Sequence, residues 1–287
     1  MKLLTFRQNN VDAVGVLSAD ANHITVIKEF ASMQHLLESG VSTAEIEAFG
    51  KSGKTVGVSE VEARSPIPHP RQDIICLGIN YLDHAKESAN HLGLEFKGAR
   101  PHAMYFAKRC YEALPDGGII PPHWDIVEDT LDYEVEVAVV IGKNARNVSE
   151  AEALDYVFGY SILNDLTARN LQKRHGQFFF GKSLDGFTAF GPCLVTKDEV
   201  PDLSNLNLRS FVNGELRQNN STKNLIFDIP SIISELSRGI ELTAGTIIAT
   251  GTPSGVGFGF DPPRFLKKGD VVRCEVDVLG TLTNTVG

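Results

Sequence analysis

Apolar and polar residues alternate over short stretches through most of the chain, the period of strands half buried against a core. Val11–Ser18 and His23–Glu29 carry this pattern near the start, after a first strand over Met1–Thr5. Further strands are predicted at Asp73–Leu77, Leu131–Ile141, Val157–Leu163, Cys193–Thr196, Leu206–Val212, Thr246–Thr250 and Val271–Val278. Asn213-Gly214, between Leu208–Val212 and Glu215–Gln218, is a hairpin signal. Helical spacing appears at Met33–Glu38, Ser42–Phe49, Asp165–His175 and Ile229–Arg238. It also appears at Ser149–Tyr156, where Ser149 and Glu152 are spaced as a capping box.

Strands dominate and helices are short. The expected fold is therefore β-rich α+β rather than a doubly wound sheet. Arg64-Ser65-Pro66-Ile67-Pro68-His69-Pro70 interrupts the pattern and favours extended chain. It divides a small N-terminal α/β domain, residues 1–66, from a larger domain, residues 67–287.

With 287 residues and 42% hydrophobic content, the chain can fill a sizeable core. Its formal net charge of −9 repels phosphate backbones, so no nucleic-acid partner is expected. Cys76, Cys110, Cys193 and Cys274 are not in CxxC spacing and read as thiols, not as a disulfide framework or zinc site. The N-terminus lacks a long apolar signal region, and no apolar run approaches the roughly 18 residues of a membrane span. A cytoplasmic setting without membrane contact is expected.

Five segments could carry chemistry. In Tyr133-Glu134-Val135-Glu136, strand alternation puts Glu134 and Glu136 on one face, which continues into Ala138 and Val140. Two carboxylates on a buried face need a counter-charge, and a hard divalent cation supplies one. The same alternation also describes a solvent-facing strand edge, and spacing alone leaves both open. On a helix, Asp165, Arg169 and Gln172 would share a face at the end of an apolar strand. A surface ion pair has the same spacing.

His84 and Glu87, three apart, could touch on a helical turn. The carboxylate would then orient the imidazole as a general base, although a surface histidine looks alike. Gly176 to Ser183 matches G-x-x-x-x-G-K-S formally, but no clear strand precedes it. Phe178-Phe179-Phe180 suits a packed wall better than a phosphate cradle. Lys182 then reads as a cation aimed at an anionic substrate, or as a surface lysine. Finally, Thr250-Gly251-Thr252-Pro253-Ser254-Gly255-Val256-Gly257 follows an apolar strand, and its small residues would let backbone N–H groups approach an oxyanion. A tight loop has the same composition.

Taken in order, Asn80-Tyr81-x-x-His84-x-x-Glu87, Tyr133-Glu134-Val135-Glu136, Asn164-Asp165-x-x-Ala168-Arg169-x-x-Gln172, Gly181-Lys182-Ser183-x-Asp185, Gly191-Pro192 and Gly251-Thr252-Pro253-Ser254-Gly255-Val256-Gly257 resemble the fumarylacetoacetate hydrolase superfamily. Phe265-Leu266-Lys267-Lys268-Gly269-Asp270 matches as well, so the resemblance runs from about residue 70 to residue 287. It implies a mixed β-sandwich roll with a small N-terminal domain, assembled as a homodimer. It implies Mg²⁺, or Mn²⁺ or Ca²⁺, bound by Glu134, Glu136 and Asp165. His84 and Glu87 would form a catalytic dyad on a lid. Arg169, Gln172 and Lys182 would bind substrate oxygens, with Lys182 also catalytic, and Thr252 would hold the substrate carboxylate.

The implied substrate is a small anionic 2-oxo or enolised 2-oxo acid. C–C hydrolysis of an acylpyruvate is the first expectation, because a His–Glu pair suits activation of water. Isomerisation or decarboxylation of a hydroxy-diene-dioate, and oxaloacetate decarboxylation, share the same enolate chemistry. A metal-stabilised binding module is the remote alternative. Cys76-Leu77-Gly78-Ile79-Asn80 lacks the extra metal-binding acid of the animal enzymes, which points to the bacterial-type small-substrate branch. Ala189 replaces a proline of many relatives. A dicarboxylate would need a distal cation, with Lys86, Lys108, Arg109 and Arg174 as candidates.

Overall fold

The computed structural model describes residues 1–91 and 93–287. The chain opens with antiparallel strands β1 (Lys2–Gln8), β2 (Val11–Leu17) and β3 (His23–Ile27). Helices α1 (Met33–Glu38) and α2 (Thr43–Ser52) follow, and then β4 (Thr55–Gly57) and β5 (Glu62–Ala63). Ser32 caps α1, and a Ser42–Glu45 capping box opens α2.

Beyond the proline-rich linker come β6 (Ile74–Gly78), α3 (Leu82–His91), β7 (Met104–Lys108), β8 (Ile119–Ile120) and α4 (Trp124–Val127). The centre of the chain supplies β9 (Leu131–Asp132), β10 (Val135–Ile141), β11 (Val157–Asp165), β12 (Thr167–Ala168), α5 (Arg169–His175) and α6 (Phe178–Lys182). The rest is β13 (Thr188–Thr196), β14 (Asn207–Val212), β15 (Glu215–Ser221), α7 (Ile229–Gly239), β16 (Ile247–Ala249), β17 (Val271–Val276) and β18 (Gly280–Val286).

One large mixed sheet runs β4-β3-β2-β1-β13-β11-β10-β16-β6-β7, with β5 beside β1. A second sheet runs β15-β14-β17-β18-β8, and β9 pairs with β12. Every residue of β10 is buried. Val135, Val137, Val139 and Ile141 join a core with Leu208, Val272 and Leu282 of the second sheet. Ala138 and Val140 join another with Leu3, Val14 and Leu36 of the N-terminal segment. A strand walled on both faces gives its polar residues no water, which decides the fate of Glu134 and Glu136.

Asn213 and Gly214 take φ of 52° and 82°, the left-handed pair that a tight β14–β15 turn demands. Several elements differ from the sequence expectation. Leu131–Ile141 is not one strand: Asp132 accepts the Tyr133 N–H, and the chain leaves the ladder at Tyr133 and Glu134. The helix expected from Asp165 begins at Arg169, because Asp165 still pairs with Thr188 and Thr167–Ala168 pairs with β9. Ser149–Tyr156 is turns followed by a 3₁₀ helix at Ala153–Tyr156, although Ser149 does bond Glu152. Of the three phenylalanines in α6, Phe178 packs edge-on against Phe106 and Phe180 against His175, but Phe179 and Phe180 are 44% and 46% exposed, so the run is not a packed wall. The four cysteines are free.

Candidate metal centre

The end of β11, the start of β10 and the bend before it converge. Asp165, Glu136 and Glu134 each offer a carboxylate oxygen within 4.8 Å of the others, and all three are buried. The Asp165 N–H donates to Glu134 O, and Asn164 Oδ1 accepts the Glu134 N–H, so the sheet itself fixes their spacing.

Cations surround the cluster. Lys182 Nζ donates to Glu134 Oε2 at 2.8 Å, Asp165 Oδ2 at 2.6 Å and Thr167 Oγ1. Lys108 Nζ donates to Asp165 Oδ1 at 2.7 Å. Arg169 bridges Glu134 Oε1 and Asp132 Oδ2, and its Nη1 donates to Gln172 Oε1. Among the described residues Glu136 has no such ion pair; its Oε2 accepts the Gly251 N–H.

The titration behaviour follows from these contacts. Burial opposes the Glu134 charge, but Lys182 and Arg169 hold its carboxyl down to about 2. Burial, then repulsion from Asp165 and Glu134, pushes Glu136 well above the carboxylate range. Burial likewise opposes the Lys182 charge, yet Asp165 and Glu134 hold its ammonium above its ordinary range. Among the described residues, the ion pairs of Asp132, Glu134 and Asp165 are with Lys108, Arg169 and Lys182, and Glu136 has no ion pair of its own. An all-oxygen donor set lacking one counter-charge fits a hard divalent cation. Its net charge with that cation is positive, which suits an anionic substrate.

The segment from Asn80 to Glu87 is fastened over this cluster. Asn80 Nδ2 donates to Thr250 O and Phe227 O, and Asp83 Oδ2 accepts from Asn220 and Ser254. His84 is 6% exposed, and its Nδ1 lies 2.9 Å from Glu87 Oε2. Glu87 Oε1 accepts the Gly255 N–H. Phe258 meets the His84 ring edge-to-face and lies under the Arg169 guanidinium. His84 is close enough to Glu134 to favour its ionised form.

The expected residues are therefore brought together, with differences in detail. Asp165 acts from a strand end and not from a helix face. Lys182 is buried against the carboxylates themselves. The Thr252 hydroxyl donates to Val135 O and accepts from Gln218 Nε2, so its proton is already committed. Among the distal-cation candidates, Lys108 is fully buried against Asp165, while Arg109 and Arg174 pair with Asp73 and Glu128 at the surface. Lys86, on α3, lies over Phe96.

Sequence reasoning missed Asp132. This fully buried acid accepts from Arg169, the Gly257 N–H and the Phe258 N–H, and so joins the cluster to the loop below His84. Its position between the apolar Leu131 and Tyr133 was the available signal.

Residues 73–287 match the family described as fumarylacetoacetate (FAA) hydrolase C-terminal. The chain belongs to this family. It is 48% identical to oxaloacetate tautomerase YisK of Bacillus subtilis over 230 residues, covering 80% of this chain and 74% of that protein. Fumarylacetoacetate hydrolase of Exiguobacterium antarcticum is 38% identical with a TM-score of 0.85, over 100% of this chain and 99% of its own. Maleylpyruvate hydrolase of Sphingobium sp. SYK-6, solved with manganese(II) and pyruvate, is 28% identical with a TM-score of 0.78, over 100% and 98%. The mixed-sheet fold of the fumarylacetoacetate hydrolase family is thus the fold of this chain. No helix among the described residues is long and apolar enough to cross a membrane.

Proposed function

We propose that the protein is a divalent-metal-dependent enzyme that interconverts the keto and enol forms of a small 2-oxo dicarboxylate such as oxaloacetate. The observation that carries this reading is the His84–Glu87 pair, buried beside the Glu134–Glu136–Asp165 cluster. Likeness to a tautomerase supports it.

A cation held by Glu134, Glu136 and Asp165 would polarise the 2-oxo group and lower the cost of enolate charge. Glu87 engages Nδ1 of His84, which assigns the proton to Nδ1 and leaves Nε2 as the base. Nε2 takes a proton from the carbon next to the carbonyl, and the carbonyl oxygen receives one. One C–H bond breaks and one O–H bond forms, and no water is consumed. Phe258 and the fastened α3 shield the imidazole from bulk water. Lys182 offsets the carboxylate charge from within, and substrate oxygens would meet the Gln172 amide nitrogen and those Arg169 hydrogens not already given to Asp132, Glu134 and Gln172. The cofactor is proposed as Mg²⁺ or Mn²⁺, and the assembly as a homodimer.

C–C hydrolysis of an acylpyruvate is the second reading, favoured by the likeness to a maleylpyruvate hydrolase solved with manganese and pyruvate. There the same Nε2 would activate a water. The test follows the ultraviolet absorbance of enol-oxaloacetate with metal-loaded protein, alongside pyruvate release from acetylpyruvate. Chelator-sensitive loss of enol without pyruvate release supports tautomerisation. Pyruvate release from acetylpyruvate with no effect on oxaloacetate replaces it with hydrolysis.

A further inference from the structure

A cavity of about 770 Å³ adjoins the loop that follows β16, and none of its lining residues belongs to the metal centre. Trp124, Arg217, Arg264, Phe265, Lys267 and Lys268 form much of its wall. The size suits a small-molecule ligand.

Its charge is the unusual feature. The Arg217 side chain is 8% exposed, and among the described residues its Nε and Nη1 are buried without a close hydrogen-bond acceptor. Its Nη2 lies 3.4 Å from Glu215 Oε2, but Glu215 is already gripped by both terminal nitrogens of Arg264. The nearby Tyr133 hydroxyl donates to Gly255 O, and its oxygen also lies close enough to Arg217 to take part of its hydrogen-bonding capacity. Arg217 and Arg264 both lie over the Phe260 ring, each 5.2 Å from its centroid, so two guanidiniums share one carboxylate. Lys267 and Lys268 are exposed and form no ion pair among the described residues. Asp270 also lines the cavity, but it is committed to Asn213 Nδ2 and the Lys267 N–H; Asp129 is the other acid there.

Buried guanidinium nitrogens short of acceptors are costly and rare, and Arg217 lines this cavity beside Arg264, Lys267 and Lys268, where an oxyanion would find a charged donor set. The protein as a whole carries −9, so this concentration of positive charge runs against its surface. We propose that the cavity binds a small multivalent oxyanion, a carboxylate or a phosphate, held by Arg217 with Lys267 and Lys268. Trp124 and Phe265 supply apolar walls for the rest of the ligand.

Isothermal titration of the metal-loaded full chain tests this, with inorganic phosphate and malonate as separate probes. The wild type is expected to bind at least one of them saturably at this site. Phosphate alone identifies a phosphorylated ligand; malonate, alone or with phosphate, identifies a carboxylate. The Arg217→Gln variant and the Lys267→Ser/Lys268→Ser double variant should each weaken that binding about tenfold or more, with metal content unchanged. The double variant alters exposed side chains only, so it remains informative if Arg217→Gln does not fold. Failure of both probes to bind, or binding that the double variant retains in full, overturns the proposal.

Discussion

Gly255 donates its backbone N–H to Glu87 Oε1 at 2.8 Å, so the loop after β16 holds the acid that orients His84. The dyad is thereby fixed from outside its own helix. His84→Gln is expected to lower turnover by about 10²–10⁴-fold while metal content is retained. Glu87→Gln should show a smaller loss, because the ring keeps its packing against Phe258. Steady-state rates beside metal analysis would check both, and full activity of His84→Gln would exclude the imidazole as the base.

Gly255 itself has φ of 101°, and a Cβ there would run into the Arg217 carbonyl. Gly255→Ala should therefore shift the loop and release Glu87, at a cost of about 1–3 kcal/mol in stability. Faster hydrogen exchange across residues 82–91 and reduced turnover are the expected signs. Unchanged exchange would mean that α3 is held by Asn80 and Asp83 alone.

Removing metal should change how stability depends on pH. In the metal-free fold, Glu136 has its carboxyl pushed well above the ordinary value, so it keeps a proton that the unfolded chain releases. The unfolded state then binds fewer protons, and stability falls as pH rises from the ordinary carboxylate value through the folded one. A bound cation replaces that proton and should flatten the dependence. Urea unfolding of chelated and metal-loaded protein between about pH 5 and pH 8 would reveal this, and Glu136→Gln should abolish the difference together with metal binding.

Lys108 is fully buried, and its ammonium meets Asp165 at 2.7 Å. Lys108→Met leaves that carboxylate short of a partner and should cost about 3–5 kcal/mol in the metal-free protein. Added metal should return part of the loss. Equal unfolding midpoints for variant and wild type would show that Lys182 alone suffices for Asp165.

Strand alternation made Glu134 and Glu136 legible as a pair, although Glu134 stands just before β10 and is held beside Glu136 by its backbone bonds to Asn164 and Asp165. Asp165 was read correctly as standing at a strand end but wrongly as opening a helix. Its i, i+4 spacing to Arg169 mimics a helix face, and only the pairing of Thr167–Ala168 with β9 delays the first turn. Lys108 was not legible as part of the centre. A lysine closing a short strand looks like a surface residue until β7 is seen against α6 at the sheet edge. Strand β18 was missed since its inward positions, Leu282, Asn284 and Val286, alternate with threonines that blur the apolar signal.

The pairing of β1 with β13, Lys2 opposite Val195 and Leu3 opposite Leu194, has a consequence for any shortened form of the chain. Strand β13 is the neighbour of β11, which ends on Asp165. A truncation starting after the proline-rich linker would strip β13 of its partner and leave unpaired N–H and C=O groups along an apolar edge. Such an edge invites pairing between molecules, so the shortened protein should aggregate although its carboxylates are all present. The first strand is, in this sense, a guard against self-association.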